Sequence, residues 1–266
     1  MGGSREDFER TLRFMRSLDE IWCPRREPFA WGTAFFNDDF ATQWDYNFLS
    51  VERPDGRLAV QSLAEEAERV QGAAGLGHRK VYIEDAALGA RLRRGFQDLG
   101  WIADRLVVMA YREGGPRADA SPAAEVEWST VEPLRYRFAR SASWGINERV
   151  IGENVRGGEW AGRVAGARYF TVIGEDEPVS VCDLYSDGKV AQVEDVGTLD
   201  EFTGRGYAKA VVQLALDEAL EQGCDLVFLV ADGEDWPKEL YAKLGFEPVG
   251  CVYGFIRDDA HPKARS

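Results

Sequence analysis

The sequence predicts an α/β protein of two tandem units, each a mixed, mostly antiparallel sheet flanked by helices. Three observations lead there. Strand-like and helix-like stretches alternate through most of the chain, and Leu226 to Val230 is a short all-apolar run of the kind buried on both faces of a sheet. A strand-helix-Gly-aromatic unit occurs twice, ending in Leu99-Gly100-Trp101 and again in Leu244-Gly245-Phe246. Between the two copies, residues 113–124 are rich in Gly, Pro, Ala and Ser and have no hydrophobic period, which is the composition of a linker.

Taken in order, residues 44–51 read as a strand, followed by a helix around Leu63, Ala67 and Val70. Residues 81–83 form a strand, 86–99 a helix and 101–111 a strand. Beyond the linker, 125–131 alternates as a strand, Pro133 opens a helix to Ala142, and a Gly-interrupted helix covers 147–164. Residues 168–173 and 179–185 are strands about a turn at 174–178. The tight turn Ser186-Asp187-Gly188-Lys189 leads into a strand over 190–198. Ala208, Val211, Val212, Ala215, Ala219 and Leu220 then recur at helical spacing, with Gly223 as the stop. After the buried run at 226–230, Trp236-Pro237 starts a helix that ends at Gly245, and 246–256 returns as a strand. Strand and helix at 44–70 mirror those at 190–222, so the chain reads as an internal duplication. Its parts are a first unit at 1–113, a linker at 114–124, a second unit at 125–257 and a polar tail at 258–266.

Composition narrows the function. The 266 residues are 45% hydrophobic and 29% charged, with no run near the roughly 20 apolar residues of a membrane span. The first nine residues are polar, unlike a secretory signal. Cys23, Cys182, Cys224 and Cys251 are scattered, with no C-x-x-C pair and only two histidines in the chain. Neither a metal site nor a disulfide framework is expected, and a reducing cytoplasm suits the chain. Net charge is -14: residues 1–115 hold 19 acidic and 16 basic groups, residues 116–266 hold 27 and 16. An acidic second half disfavours nucleic acid; it either serves solubility or attracts a cationic small molecule.

Thr203-Gly204-Arg205-Gly206-Tyr207-Ala208 lies between a predicted strand and the strongest predicted helix. Glycines there let the backbone turn and approach a ligand, and free N–H groups at a helix start favour an anion such as pyrophosphate. A dinucleotide fingerprint needs glycine where Lys209 stands, and no G-x-x-x-x-G-K-[ST] loop occurs. The (Gln/Arg)-x-x-Gly-x-(Gly/Ala) loop of acyl-CoA binding fits at Gly206 and Ala208, with Thr203 departing from its first position.

Residues 194–208 together with Leu240-Tyr241-Ala242-Lys243-Leu244-Gly245-Phe246 resemble the cofactor and later motifs of the GCN5-related N-acetyltransferase superfamily. The resemblance implies two tandem acyl-CoA N-acyltransferase-like domains and acetyl-CoA as co-substrate. It also implies a splayed strand whose Val196 and Thr198 backbone pairs with pantetheine, and pyrophosphate on the amides of residues 204–208. Tyr241 would be the acid for the departing thiolate and Glu194 the base for an amine acceptor, with Trp144 and Glu148, and beside them Glu153, as substrate candidates. Asp195 is expected to face away from Glu194, and Gly197 to sit in a bulge. The first unit has no Gly-x-Gly loop, and Phe96 stands where the second has Tyr241, so it reads as a degenerate copy. Its aromatics, Trp31, Phe35, Phe36, Trp44, Tyr46 and Phe48, serve as core or line a shared cleft or a homodimer face. The competing function is a catalytically inactive CoA-binding or regulatory protein.

Overall fold

The computed structural model describes residues 2–142, 147–234 and 237–258. Trp144 and Trp236 lie outside them. Among the described residues no helix is long and apolar enough to cross a membrane.

A helix α1 (Gly2–Trp22) precedes a hairpin, β1 (Arg25–Phe29) and β2 (Gly32–Phe36). The first unit continues with β3 (Phe48–Val51), α2 (Val60–Ala73), β4 (His78–Ile83), α3 (Ala86–Asp98) and β5 (Ile102–Tyr111). The second runs β6 (Ala123–Val126), α4 (Trp128–Ser141), α5 (Glu148–Ala165), β7 (Arg168–Gly174), β8 (Glu177–Ser186) and β9 (Val190–Thr198). It ends with α6 (Tyr207–Glu221), β10 (Leu226–Asp232), α7 (Pro237–Ala242) and β11 (Phe246–Asp258). Asp258, expected to begin the tail, is the last residue of β11, opposite His78.

All these strands join one sheet in the order β1-β2-β3-β4-β11-β5-β10-β9-β8-β7-β6. Neighbours are antiparallel except β3 with β4 and β9 with β10. Those two parallel pairs are each bridged by a helix, α2 or α6, which is the geometric counterpart of the repeat read from sequence. The final strands are exchanged. β5 of the first unit pairs with β10 (Phe228 opposite Ala110), and β11 of the second pairs with β4 (Tyr253 opposite Ile83). Each core is completed by the other unit's strand: Val107 and Met109 pack under α6, while Phe255 stacks on Phe96 at 4.2 Å between the ring centroids. Burial of these apolar side chains adds to the attraction of the shared strand ladders between the units.

Several local expectations change. The strand expected over 125–131 stops at Val126, and α4 starts at Trp128, so Pro133 sits inside the helix. Val131, Leu134, Phe138 and Ala139 form a helical stripe on the core, and that burial outweighs the lost Pro133 N–H. Trp44–Tyr46 is a short 3-10 turn ahead of β3. The turn at 174–178 is a two-residue hairpin with Glu175 and Asp176 at φ 54° and 70°, the left-handed pair a primed turn requires. The helix α1 is new: Phe14 and Leu18 pack on the sheet beside β5 and β10, Phe14 meeting Phe228 edge-on at 5.8 Å.

Candidate active site

The site begins where two strands part. β9 and β10 pair from Val190 with Leu226 to Val193 with Leu229, and there the ladder ends, although β9 continues to Thr198 and β10 to Asp232. Beyond Val193 the two backbones separate and leave polar groups of β9 facing a cleft of about 330 Å³. Val196, Gly197 and Thr198 form its β9 wall, Leu240 and Tyr241 its α7 wall, and the loop into α6 its end.

That loop is shaped by backbone sign. Gly204 and Gly206 have φ of 76° and 85°, and a Cβ at either would meet open space. Glycine is therefore required by conformation, and the room beside the backbone is left for a ligand. Gly206 caps α6, whose first hydrogen bond runs from the Ala210 N–H to the Gly206 carbonyl at 3.0 Å. The N–H groups of Tyr207, Ala208 and Lys209 thus lack intrahelical partners at the positive end of the helix dipole.

Of the cofactor candidates, Val196, Thr198, Thr203, Gly204, Gly206, Tyr207 and Ala208 all line the cleft. The Thr203 hydroxyl donates to the Asp200 carbonyl at 2.9 Å, so it closes the preceding turn. Arg205 does not line the cleft. Its guanidinium lies 4.9 Å from the Phe202 ring centre and donates to the Glu201 carbonyl at 3.3 Å. Lys209 does line it, a position the sequence analysis did not single out as a candidate. One helical turn after the glycine loop was the signal that could have found it.

Tyr241 is 7% exposed, packed edge-on against Phe246. Burial raises the pKa of its hydroxyl, and Glu194 and Cys182 nearby raise it further, so the phenol keeps its proton. Cys182 is fully buried with its Sγ 3.4 Å from the Val211 carbonyl, and burial holds it as a thiol.

Glu194 opens a second cavity of about 230 Å³ on the other side of β9. Asp195 lines the same cavity, contrary to the alternation expected of a regular strand. The reason is a bulge: Glu194 stands opposite Asp183 but Gly197 opposite Val181, and Asp195 takes φ 51°. Gly197 is not the bulged residue; a Cβ there would lie 2.8 Å from the Phe138 ring, so α4 is what demands glycine. Burial raises the Glu194 pKa to about 8, with Asp195, Asp45 and Asp183 adding to it and the Gln192 amide, which donates to the carboxylate, opposing it. Its pKa is thus set by residues from both units.

The first unit supplies most of the opposite wall: Leu18, Asp19 and Trp22 from α1, Asp45 and Tyr46, Phe48, and Lys80 and Tyr82 from β4. Tyr46 and Phe48 therefore line a shared cleft, whereas Phe35 and Phe36 are core. Trp31 packs on the core, and Trp44 donates its indole N–H to Asp258 at 2.9 Å. Glu148 reaches neither cavity; it is exposed on the first turn of α5, 3.3 Å from Arg140. Glu153 is buried and accepts from the Thr42 N–H and hydroxyl at 3.1 and 2.7 Å and from Arg149 at 2.9 Å, a tie between the units. Trp144 lies outside the described residues.

Among the described residues, the first unit shows no strand parted from its neighbour beside a glycine loop. β3 ends at Val51 opposite Ile83, so no strand runs beyond the ladder, and Phe96 is fully buried on Phe255.

The sequence of residues 126–246 matches the acetyltransferase (GNAT) family. This segment belongs to the GNAT family. A curated relative, the Bacillus subtilis protein CgeE, described as an uncharacterized N-acetyltransferase, is 33% identical over 78 residues. That match spans 29% of this chain and only 30% of the relative's length. Among solved structures, a GCN5-related N-acetyltransferase from Kribbella flavida aligns with a TM-score of 0.59 at 18% identity, covering 91% of this chain and 93% of its own. A tandem GNAT protein from the clavulanic acid biosynthesis pathway aligns at 0.50 and 12% identity over 74% and 69% of the two chains. At such identity these likenesses establish the fold, a two-domain GNAT architecture that spans both units. GNAT enzymes use acetyl-CoA as co-substrate.

Proposed function

We propose that this protein transfers an acetyl group from acetyl-CoA directly to the amine of a small cationic acceptor. The second unit, 125–257, binds the cofactor. The first, 1–113, has lost that capacity and walls the acceptor cavity, and 114–124 joins them. The observation that carries the reading is the position of Glu194 to Thr198 on β9, which runs from one cavity into the other beside Tyr241.

The residues of the cleft fit the co-substrate. Unpartnered N–H groups at the start of α6, two open glycines and Lys209 suit a pyrophosphate, and the unpaired edge of β9 suits an extended amide-bearing arm. Acetyl-CoA when bound supplies the thioester. An amine acceptor arrives protonated, with a pKa of roughly 10.4, and cannot attack in that form. Glu194 in its ionised state takes that proton, and a carboxylate raised to about 8 is better matched to the task than an ordinary one. The freed nitrogen forms the new N–C bond as the C–S bond breaks, and Tyr241 gives its phenolic proton to the departing sulfur. The cavity walls exclude water that would compete for the acetyl group.

Calorimetric titration with acetyl-CoA, beside Gly206→Trp, tests the reading. One saturable site that the variant loses is the expected result. Two sites would overturn the assignment of the first unit, and no binding at all would overturn the function.

A further inference from the structure

The acceptor cavity carries more carboxylates than one amine needs. Five acidic side chains border it and the two polar cavities beside it: Asp19, Asp45, Asp183, Glu194 and Asp195. Three have cations of their own. Lys80 is paired with Asp45 and sits 5.7 Å from the centre of the Phe48 ring; Arg135 is paired with Asp183 and reaches Asp195 at 3.8 Å. Among the described residues, neither Asp19 nor Glu194 forms an ion pair, and the ammonium that acts most on Asp19, Lys80, is already held by Asp45. Arg16, the closest cation on the same helix as Asp19, is held by Glu84 at 2.9 Å.

A second observation points to a ligand at the Glu194 end. Gln192 is 6% exposed and lines the cavity; its amide N–H is directed at Glu194, which leaves its carbonyl oxygen buried without a donor. An unsatisfied buried acceptor is costly, and a primary ammonium, with three N–H groups, can serve both the Gln192 oxygen and the Glu194 carboxylate.

Asp19 reaches the cavity from α1 and Glu194 from β9, and Asp45, Lys80 and Tyr82 line it with them. Its wall is apolar or aromatic at Leu18, Trp22 and Phe48, a surface for methylenes.

Building on the acetyl transfer proposed above, we propose that the acceptor is a linear diamine. Its reacting amine meets Glu194 and Gln192, and its second amine, still protonated, is held by Asp19 from the first unit. Asp19, supplied by α1, is then a specificity-determining residue. A monoamine of the same length leaves Asp19 unpaired and forfeits one charge-assisted hydrogen bond, a loss of about 10- to 100-fold.

The test compares putrescine with butylamine, at saturating acetyl-CoA, in the wild type and in Asp19→Asn, which preserves shape. The wild type should favour putrescine by about 10- to 100-fold in kcat/KM, through KM, and the variant should bring that ratio close to unity. Asp19→Glu should restore part of it. A wild-type ratio near unity, or a ratio that Asp19→Asn leaves unchanged, overturns the proposal. Calorimetry with putrescine alone separates the two readings. Binding that Asp19→Asn weakens, with neither amine acetylated, supports the diamine site and refutes the acetyl transfer. No binding of putrescine to the wild type refutes the diamine site.

Discussion

Replacing Glu194 by Gln tests the proton balance of the site from two sides. The carboxylate titrates at about 8 in the folded protein against an ordinary 4.5, because it is buried among Asp195, Asp45 and Asp183. A base acts in its ionised form, so wild-type kcat/KM should rise with pH through about 8. Glu194→Gln should lower it by about 100- to 10,000-fold and move the rising limb toward the pKa of the amine itself, roughly 10.4. The same raised pKa makes a stability prediction. Between 4.5 and about 8 the folded state holds a proton that the unfolded state has released. Stability from this group is therefore complete below 4.5 and is lost as pH climbs through 8. The full gap corresponds to a ceiling of about 5 kcal/mol, and water reaching the half-buried carboxylate reduces the usable part to about 2–3 kcal/mol. Glu194→Gln should accordingly be as stable as wild type near about pH 4 and more stable by that amount near about pH 9, read from urea midpoints. A variant with wild-type turnover and an unmoved limb would refute the base assignment. Equal stability at both pH values would refute the buried-charge argument behind it.

Tyr241→Phe should lower kcat by about 100-fold, the low end for a general acid because a thiolate leaves readily, while calorimetry shows acetyl-CoA affinity unchanged. Lys209→Ala should weaken acetyl-CoA binding by about 3- to 30-fold, and the difference from wild type should shrink as salt is raised. Gly197→Ala forces a methyl to 2.8 Å from the Phe138 ring; it should cost about 1–3 kcal/mol in a denaturant titration, with part of that regained in the double variant with Phe138→Leu.

The cofactor cleft was legible because its parts are local. Gly204 and Gly206 need positive φ, α6 follows at once, and Tyr241 precedes a glycine stop, so a contiguous motif specifies the geometry. The acceptor cavity was not legible, because it is assembled from α1, β4, β9 and the turn at Trp44–Tyr46, which no spacing in the chain relates. Asp195 was misassigned because period-2 alternation holds only without a bulge, and the bulge is set by pairing with β8. The stripe of α1 is present in the sequence as Phe8, Thr11, Phe14, Met15, Leu18 and Trp22, a helical spacing to which no element was assigned. Glu148 illustrates the opposite error: a carboxylate on the expected helix, turned outward onto Arg140.

The exchange of β5 and β11 was hidden for a different reason. Each is a long strand following a helix, a glycine at positive φ and an aromatic residue, so local pattern allows either to close either unit. Their exchange decides what a degenerate unit is for. β10, whose departure from β9 opens the cofactor cleft, has β5 of the first unit on its other edge, from Phe228 with Ala110 to Asp232 with Leu106. β11, which carries the chain away from Tyr241, rests on β4 and β5 of the first unit along most of its length. The second unit without the first would have β10 and β11 stripped of their β4 and β5 partners, the kind of unpaired edge that recruits other strands. It would also lose Asp19, Asp45 and Lys80 from the cavity at Glu194. The first unit lacks a glycine loop and has Phe96 where the second has Tyr241, yet its strands complete the second unit's sheet. In the function proposed above it also furnishes the acceptor wall, so its contribution would be carried by packing and charge placement, neither of which requires it to bind a cofactor.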